Sequence, residues 1–156
     1  MLDCGRLCAL AVLAISLALP ACGRKTPVRP PELAAPQRID SVSVSNVADG
    51  IELSWRRPTQ YADGSRMTDL AGFRVERSVA GAPFSEVATV EVTDQERIRQ
   101  ERRFRWVDSD TQVGTVYQYR VTSFTTDDYV SQPSDIVTAE RAIPTPAATR
   151  TPTAGR

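Results

Sequence analysis

The stretch "GIELSWRRP", residues 50–58, alternates Ile51, Leu53 and Trp55 against Glu52 and Ser54. A period of two puts the three apolar side chains on one face of an extended strand and leaves the other face to water. The same period returns along the chain. "GFRVERS", 72–78, sets Phe73 and Val75 against Arg74 and Glu76. "FRWV", 104–107, puts Phe104 and Trp106 on one face, and "VYQYRVTS", 116–123, lines up Tyr117, Tyr119 and Val121. Fainter strands are expected at 39–47, 84–92 and 134–140. Turns are supplied by Asp49-Gly50, Asp63-Gly64-Ser65, Ala80-Gly81-Ala82-Pro83, the run from Asp108 to Gly114, and Gln132-Pro133-Ser134. Seven short strands, each with one apolar face, predict an all-β, antiparallel two-sheet sandwich over residues 37–141.

Composition narrows the chemistry of that body. Histidine is absent, and the three cysteines, Cys4, Cys8 and Cys22, all fall in the first 22 residues. A histidine-based triad, a thiolate nucleophile, a zinc site of the usual ligands and a disulfide framework are therefore excluded from 37–141. Asp108 with Asp110, or Asp127 with Asp128, are the carboxylate pairs that a glycosidase or a calcium site would need. Each lies at a strand end, where Asp ordinarily bonds nearby backbone, so turns are the expected role. Ser54 and Ser65 have no general base to activate them, and no glycine-rich phosphate loop appears. The reading is a non-catalytic chain without metal or cofactor. Nineteen basic residues balance nineteen acidic ones, so no overall field draws it to nucleic acid or to a membrane surface.

The first residues read as a targeting segment, 1–21. Leu7 to Leu19 is an apolar run of about 13 residues, short of the roughly 20 that a membrane span needs. It closes on Leu19-Pro20-Ala21-Cys22, which resembles the lipobox of bacterial lipoproteins. That resemblance implies a diacylglycerol on the Cys22 thiol and cleavage before it, and two or more acyl chains hold stably where one does not. Gly23 after the anchor implies an outer-membrane destination facing the periplasm. Residues 22–36, "CGRKTPVRPPELAAP", carry four prolines and predict an extended spacer, about 3.1 Å per residue. Arg24, Lys25 and Arg29 would lie near anionic head groups. Cys22, Gly23, Lys25 and Pro27 also resemble the start of a small lipoprotein family associated with the lipopolysaccharide-transport translocon. The tail, 142–156, is rich in proline and threonine without periodicity and is expected to be disordered.

The strand segments resemble a fibronectin type III domain. "GIELSWRRP", "DGSRMTDLAGFRVERS", "GTVYQYRV" and "SQPSDIVTAE" carry the likeness across 37–141. It implies that Trp55 is the core tryptophan of the second strand. Tyr117 becomes the corner residue whose hydroxyl ties the sixth strand to upstream backbone. Tyr119 stands where an immunoglobulin domain would have its second disulfide cysteine. Thr111 occupies a position that is usually leucine, so Val113 or Val107 is expected to pack the corner. The run "ERIRQERRFR", 96–105, has five arginines suited to an acidic partner, lipopolysaccharide or peptidoglycan, but the expected role is charge on an edge strand that deters aggregation. Two loops are expected at one end, with Tyr61, Asp63, Gly64 and Arg66 on one and Asp127, Asp128 and Tyr129 on the other. They are the candidate surface for a partner, with Tyr61 and Tyr129 as exposed aromatics. The function expected is a membrane-anchored module presenting this domain to another envelope protein or polymer. The alternatives are an assembly factor acting through the Cys22-to-Pro27 segment, and a carbohydrate-binding accessory.

Overall fold

The computed structural model describes residues 30–99 and 102–144. Cys22, the targeting segment, most of the spacer and residues 145–156 lie outside them. Seven strands form: β1 (Val42–Val47), β2 (Gly50–Arg56), β3 (Leu70–Val79), β4 (Ser85–Glu91), β5 (Arg103–Asp108), β6 (Val116–Thr125) and β7 (Val137–Glu140). All neighbours are antiparallel, in sheets ordered β1-β2-β5 and β4-β3-β6-β7. Every expected strand is present.

The alternation seen in the sequence is the alternation of burial. Ile51, Leu53 and Trp55 face inward from β2, Phe73 and Val75 from β3, Phe104 from β5, and Tyr119 and Val121 from β6. Trp55 meets Phe73 edge to face at 5.4 Å, and Phe73 meets Phe104 at 4.7 Å, so three aromatic rings from both sheets lock the middle of the core. Gly50 is required by space. Any Cβ there would overlap the Asp108 carbonyl of β5.

Two segments depart from expectation. Residues 94–99 form a short helix, α2 (Asp94–Arg99), so the arginine run is edge-strand charge only from Arg103 onward. The cause is a capping box: the Thr93 amide and hydroxyl donate to Glu96 at 2.8 Å each, and the Glu96 amide returns to the Thr93 hydroxyl at 3.3 Å. At the other departure, Pro31–Ala34 makes one helical turn, α1, where extended spacer was expected. Proline at the first helical position and Glu32 in the first turn both favour it.

Candidate functional site at the loop end

The two candidate loops do emerge together. Leu70, the first residue of β3, pairs with Thr125, the last of β6, and the Thr126 amide donates to the Asp69 carbonyl at 3.0 Å. The loop after β2, 57–69, is itself ordered. Its two limbs bridge between Gln60 and Arg66, the Tyr61 amide donates to the Ser65 carbonyl and the Met67 amide to the Thr59 carbonyl, each at 2.9 Å. Met67 is buried and pins this ribbon to the core. The incoming chain lies against it through a single bridge and two flanking bonds. Pro36 bridges Tyr61, Gln37 donates to the Gln60 carbonyl at 3.0 Å, and Ala62 donates to the Ala35 carbonyl at 2.9 Å.

Several candidate residues are spent on this order. Tyr61 is half-buried, not exposed, and its hydroxyl donates to Asp69 at 2.6 Å. Asp63 accepts from the Ser65 amide and hydroxyl at 2.8 and 2.6 Å, and Gly64 supplies the positive φ of 81° that closes the turn. Across the end, Asp128 takes a left-handed φ of 61° and lies 3.7 Å from Arg74, Asp127 is exposed, and Tyr129 is half-buried with its amide on the Thr125 hydroxyl. Neither tyrosine offers a free aromatic platform.

The opposite end holds the other carboxylate pair in a polar clasp between the sheets. Asp108 of β5 is 3% exposed and accepts from Arg77 of β3 and from the Tyr119 hydroxyl of β6, both at 2.8 Å. Arg77 also donates to the Asp110 carbonyl at 2.8 Å and reaches its carboxylate at 3.4 Å. Burial pulls the Arg77 guanidinium down, but the hydrogen bond and charge of Asp108 outweigh it and hold it above its ordinary value. Burial, followed by the bond to Asp108, pushes the Tyr119 phenol well above its ordinary range. The two carboxylates are thus bridged by one guanidinium, a structural arrangement. Beside them the Tyr117 hydroxyl accepts the Gln112 amide at 2.9 Å, tying the start of β6 to the backbone five residues upstream.

The fold is that of a fibronectin type III domain. Its corner is packed differently from expectation. Val113 is 61% and Val107 37% exposed, so neither covers the ring. The Arg77 guanidinium lies over Tyr117 at 5.5 Å instead, with Tyr119 stacked at 6.3 Å, so the residue that clasps Asp108 also caps the corner left open by Thr111.

On the three-stranded-sheet side of the loop end, this sandwich has a groove with a cavity of about 680 Å³ lined by Arg56, Arg57, Thr59, Gln60, Arg66, Met67, Thr68 and Arg102. Arg66 is the one candidate residue that reaches it. Arg56 ends β2, and the amide of Arg57 after it donates to the Arg102 carbonyl at 3.0 Å, carrying the β2–β5 ladder one step further. Arg56 stands directly opposite Arg103 in the register. No aspartate or glutamate lines the groove among the described residues. At this end Asp69, Asp127 and Asp128 flank the four-stranded sheet, and Asp63 is held in the turn of the ribbon. Arg56 and Arg57 were not among the candidates, although the "RR" after Trp55 was the available signal, and Arg102 belongs to the arginine run weighed for an acidic partner. Among the described residues no group of histidine, cysteine, aspartate and glutamate could hold a metal ion, and no helix is long and apolar enough to cross a membrane.

No protein-family model and no curated protein matches the chain. Solved structures do. A β-1,2-glucanase from Parabacteroides distasonis superposes with a TM-score of 0.50 at 19% identity, over 76% of this chain and 14% of the enzyme. The sixth fibronectin type III domain of human fibronectin type III domain containing protein 3 gives 0.48 at 15% identity, over 78% of this chain and 94% of that one. A Fn3-like protein from Clostridium thermocellum gives 0.47 at 17%, over 71% and 95%. The chain spans about a seventh of the glucanase's length, and the likeness is one of fold.

Proposed function

We propose that the chain is a membrane-tethered, non-catalytic interaction module. A lipid on Cys22 holds the proline-rich leader, and the leader holds the fibronectin type III domain with its loop end towards the bilayer. The observation that carries this is the placing of Cys22, which directly follows Leu19-Pro20-Ala21 at the end of the apolar run and stands eight residues before the described chain begins at Pro30. The entry of the chain supports it, since Ala35 to Gln37 pair with the loop-end ribbon. The use of Asp108 and Asp110 as a structural clasp supports a binding role over a catalytic one. Gly23 after the anchor favours the outer membrane, facing the periplasm, with another envelope protein or polymer as the partner.

The test is in-cell crosslinking of the wild type and of Cys22→Ser, with mass spectrometry of the captured material. The reading expects one dominant envelope component captured through the domain and lost from the unanchored variant. Capture of the same abundant bystanders by both would contradict it.

A further inference from the structure

We propose that the arginine groove of the loop end takes the phosphate of an anionic lipid head group. The inference deepens the tethered reading above and rests on it, because the tether brings the groove to its ligand.

Three observations converge. The first is chemical: Arg56, Arg57, Arg66 and Arg102 line one cavity of about 680 Å³, a volume within the range of small-molecule sites. The guanidinium fork matches phosphate oxygens two at a time, and Thr59 and Thr68 add hydroxyls to the wall. The second is electrostatic. Arg74, Arg77 and Arg120 each have a carboxylate partner. Arg56 and Arg66 have no ion-pair partner among the described residues, which leaves their donors facing the groove's solvent.

The third is positional. The leader lies against residues 60–62 of the ribbon whose Thr59 and Gln60 form the groove wall. From Pro30 back to Cys22 the chain reaches at most about 29 Å when fully extended. A lipid on Cys22 therefore holds the groove beside the head-group layer, where anionic phosphate is the dominant ligand. Each arginine held at such a surface strengthens attachment about fivefold. The groove and the anchor then act as two attachments on one chain, and the second is intramolecular once the first is made.

The assay uses the chain from residue 22 onward with Cys22→Ser, so that no acyl group holds it, and measures cosedimentation with vesicles of phosphatidylcholine alone or with phosphatidylglycerol added. The proposal expects binding only where phosphatidylglycerol is present, and about fivefold weaker binding for Arg56→Gln and for Arg66→Gln. Arg105→Gln, an exposed change of the same charge on β5 outside the groove, is expected to leave binding unchanged. Equal loss from Arg105→Gln, or no preference for phosphatidylglycerol, overturns the proposal. Inorganic phosphate is the second probe, and release of the vesicles by low concentrations of it would assign the groove to soluble phosphate and overturn the lipid assignment. Because the assayed chain has no lipid, binding here together with an unmodified Cys22 in cells would retire the tethered reading and leave the groove's ligand standing.

Discussion

Asp108 and Tyr119 put an ionic and a phenolic group inside the sandwich, and each has a measurable consequence. Asp108→Ala would leave Arg77, with 18% of its side chain exposed, and the Tyr119 hydroxyl without their shared acceptor. Breaking a buried pair from one side costs about 3 kcal/mol at this exposure. Urea unfolding is expected to show a loss of that size, and a loss under about 1 kcal/mol would mean that the clasp contributes little. The Tyr119 phenol gives a pH signature. Its ordinary pKa of 10.0 is raised in the fold by burial and by the bond to Asp108. The folded chain therefore keeps a proton that the unfolded chain gives up. That stabilisation is complete below about pH 10 and is lost as pH rises above it, with a slope of at most about 1.4 kcal/mol per pH unit. Tyr119→Phe is expected to be less stable at neutral pH but to show a shallower alkaline slope in thermal melts. An unchanged slope would exclude Tyr119 as its source.

The elements divide into those that the sequence announces and those that it hides. Strands β2, β3, β5 and β6 are legible because alternation survives wherever one face of a sheet is buried, and Trp55 and Tyr117 mark their places in the fold. The helix α2 was legible only through Thr93 and Glu96, three residues apart, a signal of four residues inside a run dominated by arginine. The ribbon at 59–67 has no apolar alternation at all. Its order comes from backbone pairing and from Met67, and the incoming Ala35 to Gln37 complete it. Starting the chain at residue 38 removes the two backbone hydrogen bonds to the ribbon and the fully buried Pro36. At about 1 kcal/mol for each bond, and about 4–8 °C for each kcal/mol in a domain of this size, the melting temperature is expected to fall by roughly 10 °C. A melt unchanged by this trimming would mean that the leader is not part of the folded unit.

The whole molecule runs from a leader at one end of the sandwich to a second clasp at the other. Arg141, 6% exposed, donates to the carbonyls of Val47 at 3.0 Å and Ala48 at 2.9 Å, and its own amide donates to Thr115 at 2.9 Å. The C-terminal end of β7 is thereby fastened to the β1–β2 turn, remote from the loop end where the leader enters. On the proposed tether, that polarity turns the loop end towards the membrane and Arg141 away from it. The arginine groove was illegible in the sequence for a reason that also belongs to this scale. Its members come from 56–57, 66 and 102, and only the sandwich brings the end of β2, the ribbon and the start of β5 together. The proposed anchor is the reverse case, resting on the order Leu19-Pro20-Ala21-Cys22 alone. The most direct test is the intact mass of the protein extracted from the membranes of cells that make it. The account predicts a chain beginning at residue 22 that carries the added mass of a diacylglycerol, with or without a third acyl chain. A chain of full length, or one cut elsewhere and without lipid, would contradict it.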